Sequence, residues 1–206
     1  MILAIETSAE PASIALTNLT GEIQERTFAN ENQVNIPLTD QLKALLTDLR
    51  GKISIVLVGA GPGSYSGARV GLATAEAIAM THGCQVVTLP SILGLPEGEH
   101  TLVGDARRGS YFHISTTTLT PTILTKEEFA NTVAEATLPL FTFENPEKLP
   151  LFDSLQSNIQ ITSSTAQGLI KHWLSLNGCK KEEFLNRPKE IIYLRPPNIT
   201  KAKSPF

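Results

Sequence analysis

The segment from residue 59 to residue 67 has residue types typical of a ligand-binding loop. It reads GAGPGSYSG and lies between the apolar, β-branched stretch 53–58 and a segment of helical composition. A glycine-rich loop in this position can bring backbone amides to the N-terminus of a helix, where anions bind. Gly61 and Gly63 are therefore candidate anion-facing residues. The alternative explanation is a tight turn that leads the chain into close helix packing.

The loop departs from the established nucleotide and nucleophile signatures. Gly67 is followed by Ala68 and Arg69, whereas a Walker-type phosphate loop ends in Gly-Lys-Ser or Gly-Lys-Thr. Three of its four glycines, those at positions 61, 63 and 67, are spaced GxGxxxG, which is one residue longer than the dinucleotide fingerprint. Tyr65 stands where a GxSxG elbow needs its serine. The loop therefore lacks the residues of these three kinds of site.

Polar residues follow two of the predicted strands. Glu6, Thr7 and Ser8 follow the first apolar run, and Asp105 ends the first strand of the second half. Side chains at strand ends can face a cleft between lobes, so these four are further candidates for facing a nucleotide or an anion. The four histidines are scattered, without an HExxH or HxxxH pair. The sequence therefore predicts no catalytic residue, no metal site and no cofactor.

Small residues recur every four positions in the segment after the loop, at Gly67, Gly71, Ala75 and Ala79. This spacing places them on one face of a helix. Glycine inside a helix costs up to about 1 kcal/mol relative to alanine, so close packing of another backbone should offset the loss. The spacing leaves open whether that backbone belongs to the sheet beneath or to another chain.

The surrounding pattern predicts the elements that position these groups. Alternating or continuous apolar residues indicate strands, and leucines at helical spacing indicate a helix that begins near Pro37 and ends near Gly51. A three-stranded meander followed by alternating helices and parallel strands favours a mixed α/β sheet. The predicted strands are 2–6, 12–18, 23–28, 53–58, 85–89, 101–105, 111–116 and 138–143, and the predicted helices are 36–49, 68–81, 126–134 and 165–176.

A break near residues 95–99, with Pro96, Gly98 and two glutamates, divides the chain into two predicted lobes, 1–97 and 98–206. We expect a loop at 145–150 and an irregular tail after Ile192.

Composition narrows the class of protein. The 206 residues carry 17 basic and 20 acidic side chains, a net charge of −3, which disfavours broad binding to nucleic acid. Cys84 and Cys179 fit neither a zinc spacing nor a disulfide framework, so we expect reduced thiols. The sequence shows no export signal and no apolar run long enough to span a membrane. These features predict a cytoplasmic protein.

Four segments together resemble the TsaB family, formerly called YeaZ: the opening ILAIETSAEPASIAL, VGAGPGSYSGARVGLATAEAIA, DARRGSYF and IIYLR near the end. The resemblance spans most of the first 95 residues. It implies the two-lobed fold of the actin, sugar-kinase and heat-shock-chaperone (ASKHA) superfamily, with a mixed sheet and helices in each lobe and a smaller, divergent C-terminal lobe.

The resemblance also implies a function. In that family TsaB is an inactive relative of the transferase TsaD, which forms N6-threonylcarbamoyladenosine (t6A) at position 37 of tRNAs that read codons beginning with A. TsaB docks TsaD through its first two helices and helps to recruit the ATPase TsaE. The implied role is thus a non-catalytic scaffold that meets tRNA only through the complex, with a homodimer left open for the isolated chain.

Under this resemblance the small-residue face becomes a partner interface. The implied interface residues are Leu38, Leu42, Leu45, Gly67, Arg69, Gly71, Ala75 and Ala79. Glu6 stands where the family usually has aspartate, and Gln33, Val34 and Asn35 stand where it often has a histidine. Both departures disfavour catalysis. The rival interpretations are a small-molecule kinase or acyltransferase of the same fold, or a degenerate M22-type peptidase-like protein.

Overall fold

A computed structural model describes residues 1–29, 35–47, 49, 52–144 and 159–195. These residues form two five-stranded sheets with five α-helices and a short 3-10 helix at Ser91–Gly94. The strands are β1 Ile2–Glu6, β2 Ala12–Thr17, β3 Ile23–Phe28, β4 Ile55–Gly59, β5 Gln85–Leu89, β6 Thr101–Asp105, β7 Tyr111–Ser115, β8 Thr122–Leu124, β9 Leu140–Thr142 and β10 Ile159–Ile161. The helices are α1 Asn35–Leu46, α2 Tyr65–His82, α3 Lys126–Ala134, α4 Ala166–Ser175 and α5 Gly178–Asn186.

The first sheet has the strand order β3-β2-β1-β4-β5. β1, β2 and β3 form the predicted antiparallel meander, whereas β4 and β5 run parallel to β1. At the centre, Ile5 pairs with Ile14 on one side and with Val58 on the other. The mixed sheet of the predicted α/β fold is confirmed.

Both faces of this sheet are covered, which explains why β4 is continuously apolar. Val56 and Val58 belong to a core shared with α1 and α2, whereas Ile55 and Leu57 face α4 and residues of the second sheet. The end of β1 therefore lies in the centre of the molecule.

The second sheet has the order β10-β9-β6-β7-β8, with β6, β7 and β8 antiparallel and β9 and β10 parallel to β6. Strands β8 and β10 and helix α5 were not predicted from the sequence. The two sheets with their helices confirm the predicted two-lobed architecture.

The boundary predicted at residue 97 falls between the two sheets. Helices α4 and α5 follow the second sheet in the chain but pack against the first, α4 beside β1 and β2 and α5 beside β5. The predicted loop at 145–150 and the tail beyond residue 195 lie outside the described residues. Within the described ranges, no helix is long and apolar enough to cross a membrane.

Candidate functional site

A cavity of about 1080 Å³ lies between the glycine loop of the first lobe and the hairpin β6–β7 of the second. Ser8, Gly61 and Gly63 line it from one side, and Asp105 lines it from the other. The structure thus brings together four of the six residues that the sequence marked as anion-facing. Glu6 and Thr7 are buried beneath the floor and do not line the cavity.

Glu6 is turned into the protein at the end of β1. It is 0% exposed, and its Oε1 accepts hydrogen bonds from Ser8 N at 2.8 Å and from Ser8 Oγ at 2.7 Å. Its Oε2 accepts a hydrogen bond from Ser164 Oγ at 2.8 Å. Because a buried carboxylate is costly unless hydrogen-bonded, these donors stabilise it in place. The arrangement joins the first strand to the turn that begins α4.

The same network positions the glycine loop. Ser8 Oγ and Ser91 Oγ lie 2.7 Å apart, and Ser91 Oγ accepts a hydrogen bond from Gly61 N at 3.0 Å. The backbone of Ser64 donates to Ser8 O at 2.6 Å, and a Cβ on Gly63 would lie less than 3.0 Å from that oxygen. Position 63 therefore requires glycine, because the backbone of Ser8 lies too close to leave room for a side chain.

α2 begins three residues earlier than predicted. Ser64 is its N-cap and accepts a hydrogen bond from Gly67 N, so residues 65–67 of the glycine loop form the first helical turn. The helix ends at Gly83 in the left-handed conformation, φ +60°. The first turn of α2 therefore lines the cavity, through Tyr65 and Ser66.

The opposite wall carries a compact turn after Asp105. Arg107 and Arg108 both have positive φ, +65° and +57°, and Asp105 Oδ1 accepts a hydrogen bond from Arg107 N at 2.7 Å. Glu144 Oε1 accepts from Asp105 N at 2.9 Å. Burial raises the pKa of the Glu144 carboxyl, and the neighbouring Asp105 carboxylate adds to the shift.

The small-residue face of α2 packs against the chain's own first sheet. Gly67, Gly71, Ala75 and Ala79 are all buried. A Cβ on Gly71 would lie less than 3.0 Å from Thr7 Oγ1, and one on Gly67 would lie less than 3.0 Å from Thr7 O. These four residues are therefore not a partner surface, which corrects the interface assignment.

The leucines of α1 need the same correction. Leu38, Leu42 and Leu45 are at most 7% exposed and belong to the core between α1, α2 and the first sheet. Leu49, predicted to lie in the helix, follows it and packs at the edge of this core. The helical spacing of the leucines shows which face of α1 is buried. It does not show whether that face packs on the chain's own core or on a partner.

Of the predicted interface residues, Arg69 is exposed. It begins a row of exposed residues on the side of α2 that faces away from the sheet, which we call the outward stripe. The outward stripe consists of Arg69, Ala73, Glu76, Ala77 and Met80. Met80 is 85% exposed.

Sequence reasoning missed Tyr193, which follows α5 and lines the cavity. Its ring lies 4.9 Å from that of Tyr65 in an edge-on arrangement. The only signal was the short motif IIYLR, which has no periodicity. Its contact with α2 is set by the return of the chain across the glycine loop.

Among the residues that the structure describes, no three histidine, cysteine, aspartate or glutamate side chains are grouped so that they could hold a metal ion. Gln33, Val34 and Asn35 stand where the family often has a histidine. The first two lie outside the described residues, and Asn35 begins α1.

Comparison with solved structures defines the class of fold. YeaZ from Pseudomonas aeruginosa superposes with a TM-score of 0.66 at 16% identity, covering 93% of this chain and 98% of that one. A Pseudomonas aeruginosa protein described as uncharacterized with similarity to peptidase YeaZ has a TM-score of 0.60 at 19% identity, covering 94% and 99%. The two-lobed α/β fold is thus that of YeaZ, and the resemblance to the TsaB family is confirmed in its fold.

A family model gives the more specific relationship. The model for TsaD, tRNA N6-adenosine threonylcarbamoyltransferase, matches residues 29–156, more than half of the 206 residues. The chain belongs to the TsaD family. No curated protein matches the sequence significantly. Membership of this family and the YeaZ fold support a role in t6A biosynthesis.

Proposed function

We propose that the chain is a non-catalytic partner of a TsaD-type transferase in the formation of t6A at position 37 of tRNAs reading codons that begin with A. The observation that carries the proposal is the orientation of Glu6. A carboxylate that took part in phosphate or metal chemistry would have to face the cavity, but this one is buried beneath its floor.

Reorienting Glu6 would be costly. Its oxygens accept hydrogen bonds from Ser8 and Ser164, and a Cβ on Gly59 would lie less than 3.0 Å from its carboxylate. Turning the side chain towards the cavity would leave buried serine hydroxyls to find new partners, at about 1–3 kcal/mol for each unsatisfied group. The geometry therefore supports a structural role for Glu6.

The catalytic partner would dock on the sides of α1 and α2 that face away from the first sheet. Both helices cover the same face of that sheet, and their apolar sides are occupied by its core. The outward stripe supplies Arg69 and Met80, residue types enriched in protein interfaces, beside two small alanines and Glu76. This assignment replaces the buried residues with exposed ones on the same helices.

The remaining partners follow from the same proposal. A TsaE-like ATPase would join the complex formed with the transferase, and tRNA would be bound mainly by the transferase. The isolated chain could self-associate through the face that the transferase covers, which would give a homodimer that dissociates when the transferase is added.

The test combines the purified chain with a TsaD-family transferase. We expect a complex in calorimetry and sedimentation, and t6A formation only when the transferase is present. Met80→Asp should raise the dissociation constant at least about tenfold, because it replaces the one large apolar side chain of the outward stripe with a charged one. Leu19→Asp is the matched control, since Leu19 is 76% exposed in the turn between β2 and β3, outside both docking helices.

Two results would contradict the proposal. Transferase or kinase activity of the chain alone would show that it is catalytic and favour an enzyme of the same fold. Lack of association with the transferase would refute the partner role, and equal effects of Met80→Asp and Leu19→Asp would show that the outward stripe is not the docking surface.

A further inference from the structure

The segment that follows α5 crosses the glycine loop and reaches the first turn of α2. We call residues 188–195 the strap. Ile192 N donates to Ala60 O at 2.8 Å, and Ile191 is buried. Ile192 and Leu194 pack against the core shared by the two lobes. The strap is thus fixed beside α2, although more than 100 residues separate Tyr193 from the end of that helix in sequence.

Beyond Ile192, the strap joins α2 through a cluster of three side chains. The Arg69 guanidinium carbon lies 4.4 Å from the centre of the Tyr65 ring, and the Tyr193 ring lies 4.9 Å from the same ring. A hydrogen bond from the Tyr65 hydroxyl lowers the pKa of Tyr193, and a hydrogen bond from Arg69 and the charge of its guanidinium lower it further. The three groups therefore restrain one another.

This cluster is exposed and has a cation available for an acid. Tyr65 is 40% and Tyr193 is 46% exposed, and Arg69 is also exposed. Among the described residues, Arg69 takes part in no ion pair. A guanidinium stacked on an aromatic ring presents N–H groups at its edge, and those that do not donate to Tyr193 can bind a carboxylate.

The cluster is continuous with the outward stripe. Arg69 belongs to both, and a shallow groove of about 300 Å³ runs between α2 and the strap. Its walls carry apolar and charged side chains from both elements, namely Arg69, Leu72, Ala73, Glu76, Lys189, Glu190, Ile191 and Tyr193. A side chain from a partner lying on the outward stripe can enter this groove.

We infer that the strap is part of the docking surface, and that Tyr65, Arg69 and Tyr193 form a preorganised binding hot spot for a carboxylate on a helix of the catalytic partner. The inference rests on the proposed function. Tyrosine and arginine are enriched in such hot spots because they combine large contact area with directed hydrogen bonds. Stacking on Tyr65 fixes the guanidinium before binding, so less conformational entropy is lost on docking.

The experiment measures the dissociation constant of the complex with a TsaD-family transferase for single variants of the full chain. Arg69→Ala and Tyr193→Ala should each raise it at least about tenfold, and Arg69→Lys should restore only part of the loss because lysine lacks the planar fork. Lys126→Ala removes an exposed cation at the start of α3, outside the strap, the groove and the outward stripe. This control should change the constant less than about twofold.

A double variant tests whether the groups act together. If Tyr193 orients Arg69, the loss in the variant carrying both alanines should be smaller than the product of the two single losses. Raising the salt concentration should weaken the wild-type complex more than the Arg69→Ala complex, because the variant lacks the charge pair. Thermal unfolding of each variant shows whether the chain remains folded. Should Tyr193→Ala unfold, Tyr193→Phe and Arg69→Ala still test the cluster.

The outcomes separate this inference from the proposed function. If Met80→Asp weakens binding whereas Arg69→Ala and Tyr193→Ala bind within about twofold of wild type, the hot spot is refuted and the docking of α2 stands. If Lys126→Ala weakens binding as much as Arg69→Ala, the net charge of the chain is responsible and the preorganised cluster is refuted. If the wild-type chain does not bind the transferase, the proposed function fails and the inference fails with it.

Discussion

A side chain at position 71 would meet Thr7, whose hydroxyl donates to Gly67 O at 2.7 Å. Because this hydrogen bond fixes the Thr7 side chain, moving it aside would cost free energy. We therefore expect Gly71→Leu to destabilise the isolated chain by about 1–3 kcal/mol or more, as overpacking does in a well-filled core. Helix propensity favours leucine over glycine and would offset at most about 1 kcal/mol of this loss.

The matched control is Ala73→Leu, two residues away on the exposed side of α2. It adds a similar side chain at an exposed position beside the open groove, so the free energy of unfolding of the variant should stay within about 0.5 kcal/mol of wild type. Urea unfolding followed by circular dichroism measures both variants. A wild-type midpoint for Gly71→Leu would show that the small-residue face is not packed as described.

Glu144 gives a prediction for pH dependence. Its pKa is raised by burial, so just above the ordinary glutamate value the folded chain binds a proton that the unfolded chain does not. Protonation of Glu144 therefore increases the free energy of unfolding of the wild-type chain as the pH falls through that range. Glu144→Gln keeps an oxygen that can accept from Asp105 N and removes the titration.

The stability of Glu144→Gln relative to wild type should be highest at neutral pH and should shrink as the pH falls towards the ordinary glutamate value. Denaturant unfolding at a series of pH values measures this difference. Glu135→Gln, at an exposed position after α3, serves as the control. A stability difference that is constant across the pH range would show that burial does not govern the titration of Glu144.

At the scale of elements, the hydrogen bonds of Glu6 connect β1 to the turn before α4. Ser164→Ala should destabilise the chain by about 1–3 kcal/mol, because it removes the donor to Oε2 of a fully buried carboxylate. Ser163→Ala is the control, because among the described residues the hydroxyl of Ser163 makes only long hydrogen bonds, 3.5 Å to Pro11 O and 3.3 Å to Ser164 O. Equal unfolding midpoints for the two variants would contradict the role assigned to Glu6.

The sequence predicts an element well when local signals decide its limits. The bounds of β3, β6 and α3 agree with prediction, and α3 starts where Thr125 and Glu128 form a reciprocal capping box. α2 was placed three residues late because the glycines of the loop hid the Ser64 cap. α5 was missed because it is charged and, among its residues, Phe184 alone is buried.

The candidate site was predictable only in part, for a physical reason. Strand ends and a glycine loop indicated that Ser8, Gly61, Gly63 and Asp105 could face a cleft between lobes, and all four line the cavity. Ser8 and the loop share one side of it because β1 and β4 run parallel and end at the same edge of the first sheet. Helical spacing cannot separate a face that packs on the chain's own sheet from one that packs on a partner, because both bury small or apolar residues. The contact of Tyr193 with α2 depends on tertiary structure alone.

At the scale of the whole molecule, the charge distribution bears on how tRNA is bound. The chain has 17 basic and 20 acidic side chains, and several cations lie beside acids. Arg107 is 3.3 Å from Asp105, and Lys180 and Arg187 both pair with Glu183. Because counterion release by unpaired cations supplies most non-specific affinity for nucleic acid, such pairs contribute little to it.

We therefore expect the isolated chain to bind unmodified tRNA no more tightly than about 10⁻⁴ M at physiological salt, the weak end of non-specific binding. The complex with its transferase should bind much more tightly, and Arg107→Ala should leave that affinity within about twofold, since Arg107 already lies beside Asp105. Filter binding with the chain, the transferase and the complex at several salt concentrations measures each contribution. Submicromolar, strongly salt-dependent binding by the chain alone would show that it contacts tRNA directly, and the scaffold would then be an RNA-binding subunit.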